Sequence, residues 1–219
     1  MYSGAQESVN IDQYGLPDLF VTNCVSPYLF NRTLIPILTA TAKEDNSDVR
    51  IVNLSSGIHA RARPTSLEGK TSISGPSDTV WSFPKRLELY GLCKLAVLLH
   101  TKQLQRVFAA ESIPITCLAV NPGAINTVGA TSFLGSIPYV SFALKLLGRY
   151  FFGTWRDGAM NVAWAAAGRE INEAREHYYG KYVVPVAQIS PPSAEASDER
   201  LARELWETLE SIINEMIPS

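Results

Sequence analysis

Tyr90 and Lys94 stand four residues apart in a stretch of helical character, so both side chains lie on one helix face. A phenol titrates near pH 10, roughly three units too high for efficient proton transfer at neutral pH. A lysine ammonium beside it favours the phenolate and lowers that value. The pair therefore suits acid/base work in the interconversion of a carbonyl and an alcohol. Spacing alone does not decide the matter, because about 0.3 such pairs arise by chance in a chain of this length and composition. Two further segments join it. Ser56 closes the apolar run VRIVNLSS (49–56), where a hydroxyl at a strand end can hydrogen-bond a substrate oxygen. NPGAINT (121–127) closes a second apolar run, and its Pro122–Gly123 turn would bring backbone and Thr127 against a bound ligand. Read singly, Ser56 serves more readily as a turn-former, and the Asn-Pro-Gly run serves equally well as a plain strand stop.

The elements that must hold these residues follow from hydrophobic periodicity. Residues 18–42 predict a helix, with Asp18 as N-cap and a stripe of Leu19, Phe20, Cys24, Leu29, Leu34, Ile35 and Leu38. KEDNSD (43–48) is a polar turn, and VRIVNLSS is a short buried strand. Residues 57–84 have no period and read as a long loop; 86–109 read as a helix. ITCLAVNPG (115–123) is a second buried strand, stopped by Pro122 and Gly123, and the Ala-rich residues 156–169 are helical. YGKYVVPV (179–186) is a third strand. Residues 197–217 form a last helix, with Ser197 as N-cap and Leu201, Leu205, Leu209, Ile212 and Met216 along one face. Strands alternating with helices predict an α/β fold with a parallel sheet covered on both faces. Ligands in such sheets sit beyond the carboxyl ends of the strands: here Ser55–Ser56, Asn121–Thr127 and the loop after Val184.

Composition bounds the function. The 219 residues are 46% hydrophobic and 18% charged, a globular balance for a single domain. A formal charge of −2 provides no broad field for nucleic acid or an acidic membrane. Cys24, Cys93 and Cys117 are too few and too scattered for a disulfide framework or zinc site, and His59, His100 and His177 have no metal spacing, so no metal is expected. No Gly-x-Ser-x-Gly elbow suggests a hydrolase. The matches to the glycosylation pattern at Asn31-Arg32-Thr33 and Asn53-Leu54-Ser55 lie in no secreted context, and Trp164 and Trp206 are expected in the core. The polar start MYSGAQESVN reads as no signal peptide, which makes a reducing cytoplasm the expectation. FLGSIPYVSFALKLLGRYFF (133–152) is greasy but carries Pro138, Lys145 and Arg149. It is read as a helix or lid over an apolar pocket, with shallow membrane contact as the lesser alternative.

Taken together, RIVNLSSG (50–57), YGLCKLA (90–96) and VNPGAINT (120–127) resemble the short-chain dehydrogenase/reductase family, in order as well as spacing. The closest flavour is the retinol-dehydrogenase-like branch found in many fungal enzymes, whose terminal helix is similar to SDERLARELWETLE. The resemblance runs from about residue 14 to 217. It implies a hydride-transfer site with a nicotinamide cofactor, NADP by branch and NAD not excluded. Tyr90 would exchange the proton, and Lys94 would lower its pKa and hold the nicotinamide ribose. Ser56 would orient the substrate oxygen. FVTNCVSPYLFNRTLIPIL (20–38) looks like the family helix carrying a catalytic Asn, which maps to Asn23, positioning a relay water. Pro122, Gly123, Ile125 and Thr127 would touch the cofactor. Helices 18–42 and 86–109 would build a homodimer interface. Pro27 departs from the branch pattern; it lacks the N–H that would bond the carbonyl of residue 23, so a kink is expected there.

The front of the family pattern is not found in these residues. The strand, Gly-rich turn and helix that cradle the pyrophosphate are expected before Met1, so the chain reads as one incomplete Rossmann-like domain, the C-terminal two-thirds of a doubly wound sheet. Two functions are carried forward. One is an NAD(P)-dependent oxidoreductase acting on a lipophilic small molecule, 133–152 being its substrate lid, in a secondary-metabolism setting. The other is a catalytically impaired remnant that acts as a dimerising or interaction module.

Overall fold

The computed structural model describes residues 9–74, 82–123 and 154–217. Four strands order as β1 (Val49–Leu54), β2 (Ile115–Val120), β3 (Tyr182–Val184) and β4 (Gln188–Ile189). β1 runs parallel to β2 in register from Val49 opposite Ile115 to Leu54 opposite Val120. β3 is parallel to β2, and β4 returns antiparallel to β3. β2 is buried along its whole length, whereas β1 is only half-buried and has no neighbour on its other edge among the described residues.

Helices cover both faces, as the alternation predicts. On one face lie α1 (Asp18–Phe20), α2 (Ser26–Ala42), the long α3 (Phe83–Ala110) and the C-terminal α7 (Glu199–Met216). Leu95, Leu98 and Leu99 of α3 pack with Leu205, Leu209 and Ile212 of α7 in the main core, and Leu104 and Phe108 pack on Ile51, Ile115 and Cys117 of the sheet. On the opposite face α4 (Trp155–Ala167) and α5 (Arg169–Glu173), followed by α6 (Arg175–Tyr178), cover Leu118, Val120 and Val183 with Ala165 and Ile171. Arg50, its side chain 3% exposed, ties β1 to the end of α4 through the carbonyls of Ala165 (3.1 Å) and Gly168 (2.8 Å).

Local chemistry moved several expected boundaries. Asp18 is the first helical residue and Pro17 takes the N-cap position without a side-chain bond. The first helix is interrupted by a π-helical turn at Val21–Val25, in which the Ser26 N–H bonds the Val21 carbonyl. It lies directly before Pro27, the residue without an N–H to continue α geometry. The aperiodic 57–84 stretch holds two 3₁₀ turns, Gly57–Arg61 and Lys70–Ser72, and α3 starts at Phe83, ahead of 86. The N-cap of α7 is Asp198 and not Ser197: the Asp198 carboxylate accepts from the N–H groups of Arg200 and Leu201, while Ser197 ends a 3₁₀ turn. Thr154 and Asp157 form a capping box on α4. Of the segment read as one strand over 179–186, only Tyr182–Val184 is β3, and its hairpin partner β4 lies beyond the segment at Gln188–Ile189. Trp164 and Trp206 are partly buried at the margins of the core and not inside it.

Candidate active site

β1 ends at Leu54, and its last residues meet α3 side by side. Ser55 is buried, and its hydroxyl donates to the Lys94 carbonyl at 2.9 Å while its N–H bonds Val120 on β2. Ser55 is thus a structural pin. Ser56, half-buried, is the N-cap of the 3₁₀ turn Gly57–Arg61, and its Oγ accepts a long bond from the Ile58 N–H at 3.5 Å. Of the two adjacent serines it is the one with a hydroxyl left accessible for a ligand.

The turn after Ser56 abuts α3 at Gly91. A Cβ placed there would stand 3.1 Å from the Ile58 carbonyl, so the absent side chain lets the two backbones close up. Tyr90 precedes Gly91 and Ser56 lies two residues before Ile58, so this contact holds both in one neighbourhood. Lys94, 1% exposed, reaches back toward β1: its ammonium donates to the Leu54 carbonyl at 3.1 Å and to Asn23 Oδ1 at 3.5 Å. It also lies 5.5 Å from the centroid of the Tyr90 ring. Asn23, in the π-helical turn, is fixed by donating from Nδ2 to the Leu19 carbonyl at 2.9 Å. Cys24 and Cys93 brace the same junction through the carbonyls of Cys93 and Leu19.

Asn23, Lys94 and the end of β1 are therefore in direct contact, with Tyr90 against Lys94 and Ser56 across the Gly91 seam. The electrostatics differ from the expectation. Burial, and then Cys93, pushes the Tyr90 phenol up to about 12, above its usual range even with Lys94 beside it. Lys94 itself is held below its usual value, chiefly by burial, with the Cys24 and Cys93 thiols opposing. Its ammonium is turned toward the Leu54 carbonyl and Asn23.

At the end of β2, Asn121 Oδ1 accepts the Gly123 N–H at 2.9 Å, an Asx turn. Gly123 has φ +90°, and a Cβ there would come within 3.0 Å of Pro185. Asn161 secures the turn by donating to the Asn121 carbonyl at 2.8 Å. Pro122 and Gly123 are half-buried beyond the strand end; Ile125, Thr127 and the 133–152 segment lie outside the described residues. A buried lysine beside a phenol at the end of β1 fits the nicotinamide–ribose end of a dinucleotide, while the space beside Gly123 is taken by Pro185. Among the described residues no helix is long and apolar enough to cross a membrane, and no group of His, Cys, Asp and Glu is placed to hold a metal.

Sequence reasoning missed Gly91 and His59. Gly91 sits inside the Tyr-x-x-x-Lys segment, where a helix-interior glycine is itself a signal of close approach. His59 is buried, donates from Nδ1 to the Ser56 carbonyl (2.7 Å) and accepts at Nε2 from the Ser193 N–H (3.2 Å), so it anchors the serine turn to the loop before α7. It carried no signal beyond being three residues from Ser56.

No family model matches the chain. It is similar to a short-chain dehydrogenase/reductase of Armillaria gallica, 37% identical over 201 residues, covering 92% of this chain and 62% of that protein. A second such protein, from Colletotrichum higginsianum, is 32% identical over 199 residues, covering 88% of this chain and 47% of the relative. Among solved structures, an uncharacterised protein of Mycobacterium paratuberculosis superposes with a TM-score of 0.63 at 22% identity, covering 93% of this chain and 61% of the other. The chain thus spans about three-fifths or less of the length of these relatives. The chain is therefore similar to curated short-chain dehydrogenase/reductases over about nine-tenths of its own length, and its parallel sheet flanked by helices agrees with that likeness.

Proposed function

We propose that the chain carries the catalytic half of an NADP-dependent oxidoreductase that interconverts a carbonyl and an alcohol on a lipophilic small molecule. The observation that carries this reading is the junction of β1 with α3, where Lys94 contacts both Asn23 and the strand end while lying against Tyr90. In the reducing direction the protonated Tyr90 hydroxyl donates its proton to the carbonyl oxygen as that oxygen gains charge. A phenol near 12 is a competent acid in its resting form and needs the cation of Lys94 to stabilise the phenolate it becomes. Ser56 donates a second hydrogen bond to the same oxygen. Asn23 holds the Lys94 ammonium in register, and the Tyr90 phenolate left after proton transfer is reprotonated from solvent along that side. A nicotinamide dinucleotide would supply or accept the hydride; Lys94, Pro122 and Gly123, with Ile125 and Thr127, are the residues that would hold it. The lipophilic substrate reading rests on the composition of 133–152.

These 219 residues contain no Gly-rich phosphate turn, so weak dinucleotide binding is expected, with turnover only at high NADPH. The test is NADPH oxidation by the purified chain at millimolar dinucleotide with a panel of lipophilic ketones. Slow turnover that Tyr90→Phe lowers by roughly 10²–10⁴-fold supports the reading. No Tyr90-dependent turnover, or activity only on small polar sugars, overturns it. Micromolar NADPH affinity by calorimetry would contradict the weak-binding expectation.

A second reading, a dimerising module, is favoured by α2. Phe30 and Ile37 are 65% and 64% exposed and seven residues apart on one helix face. We propose that this face pairs with a second copy of the chain, under either functional reading.

A further inference from the structure

A cleft of about 550 Å³ opens between the C-terminal half of α3, the entry to β3 and the loop before α7. Lys102 is eight residues beyond Lys94, about 12 Å along the helix axis. The cleft borders the turn into β3, whereas the candidate catalytic residues gather where the end of β1 meets the N-terminal half of α3. Three cations line it: Lys102 and Arg106 from α3, and Lys181 from the turn into β3. Gly180 gives that turn its φ of +66°, a conformation that strains other residues, and the turn lies in ordinary contact with Lys102 and Gln105 of α3. Glu199 is the single acid in the lining, and it is paired with Arg106 at 3.1 Å. Among the described residues Lys102 and Lys181 have no carboxylate partner; the Lys102 ammonium donates to the neutral Ser197 hydroxyl at 3.3 Å. Three positive groups against one committed carboxylate leave an excess of two charges facing a concave space.

We propose that this cleft is a second ligand site, independent of the oxidoreductase reading, which takes a small organic phosphate: the phosphate among Lys102, Arg106 and Lys181, and an apolar or aromatic body against Tyr179, Pro191 and Pro192. The volume is that of a small-molecule pocket, and the formal charge of −2 over the whole chain argues against a nucleic acid. Arg106, held by Glu199 at 3.1 Å and by Gln103 at 3.0 Å, adds positive charge at the edge of the cleft, and the two lysines supply the point charges for the phosphate oxygens. Burial and the neighbouring Arg106 and Lys181 hold Lys102 below its usual value, a repulsion that a bound dianion would relieve.

The site also has a reporter. The Tyr182 ring lines the cleft and packs edge-on against His59 at 5.1 Å. The His59 imidazole is lowered first by burial; Lys102 and Arg63 lower it further, while the Ser56 carbonyl and Glu195 raise it. Neutralising Lys102 must therefore raise the His59 value.

The experiment titrates the purified chain with phenyl phosphate by calorimetry, and follows the His59 ring by NMR across pH with and without the ligand. The expected result is one saturable site with a Kd near or below about 1 mM, and tenfold or greater weakening in Lys102→Gln and in Lys181→Gln. Binding should weaken as salt rises, and the His59 titration should move upward on binding. Lys181 is exposed, so its variant leaves the fold intact. Inorganic phosphate should bind several-fold more weakly. Binding unchanged by both variants, an unmoved His59, or no saturable binding overturns the proposal; equal binding of inorganic phosphate overturns the organic body.

Discussion

Gly91 shows how one absent side chain sets the geometry of a site. The Cβ of an alanine there would meet the Ile58 carbonyl at 3.1 Å, so the turn carrying Ser56 must retreat by a few tenths of an ångström. Hydrogen bonding to a reacting oxygen is sensitive to shifts of that size, whereas helix stability is not, and alanine is the better helix former by up to about 1 kcal/mol. Gly91→Ala should thus leave the melting temperature within a few degrees of wild type and lower Tyr90-dependent turnover. Gly91→Val, with two more methyl groups at the seam, should destabilise the fold by about 1–3 kcal/mol. Thermal unfolding beside single-turnover rates checks both, and unchanged turnover in the alanine variant would show that the seam does not position Ser56. Tyr90 and Lys94 were legible from spacing and residue type. The direction of the Tyr90 pKa was not, because burial is a property of the packed site and outweighs the lysine, whose orientation no local pattern encodes.

The elements themselves were legible wherever periodicity was strong. The heptad-like stripe of 197–217 and the fully apolar 115–120 run became α7 and β2, because one buried face or two buried faces leave different patterns. Less was visible where side chains replace backbone partners. β3 is only three residues long and pairs with β2 from Ala119 onward, so the lower part of β2 lacks a neighbouring strand on that side. Gln105, buried on α3, fills the gap: its Nε2 donates to the Ile115 carbonyl at 3.0 Å and its Oε1 accepts the Cys117 N–H at 2.7 Å. A glutamine in a helix reads from sequence as a surface residue, and nothing in its neighbourhood says otherwise. Gln105→Leu keeps the apolar stem but leaves two buried backbone groups unpaired, so a loss of about 2–4 kcal/mol is expected in urea unfolding. A change below about 0.5 kcal/mol would mean that water reaches those groups. The π-helical turn was legible in part. Pro27 announced a departure from α geometry, but its form, with Asn23 held inward by the Leu19 carbonyl, depends on packing against α3.

At the scale of the whole molecule, acid stability and self-association are both tied to the α2–α3–α7 layer. His100 of α3 is buried between Tyr28 of α2 and Trp206 of α7, with ring centroids at 5.0 and 5.7 Å. Its Nε2 faces the Asn31 amide at 3.2 Å, and its Nδ1 has no hydrogen-bond partner among the described residues. Burial lowers it from 6.5 to about 4. A depressed value means that the neutral ring stabilises the fold above pH 6.5 and that this contribution is lost as pH falls toward 4, about 3 kcal/mol in all. His100→Gln should flatten that part of the stability–pH curve; an equal slope in the variant would place the acid sensitivity elsewhere. The same layer presents Phe30 and Ile37 outward on α2, while Arg32 on that helix pairs with Glu210 at 3.3 Å. Burying two such side chains contributes roughly 1.5–3 kcal/mol each, too little alone for a stable dimer but a fitting centre for an interface of about 1,200–2,000 Å². Sedimentation of the purified chain should show a dimer. Phe30→Glu with Ile37→Glu should shift it to monomer with a similar melting temperature in dilute solution, because both positions are exposed in the monomer and the substitution removes no core contact. If the double variant stays dimeric, association runs through another surface, and the half-buried β1, with no strand beside it among the described residues, is the next edge to block.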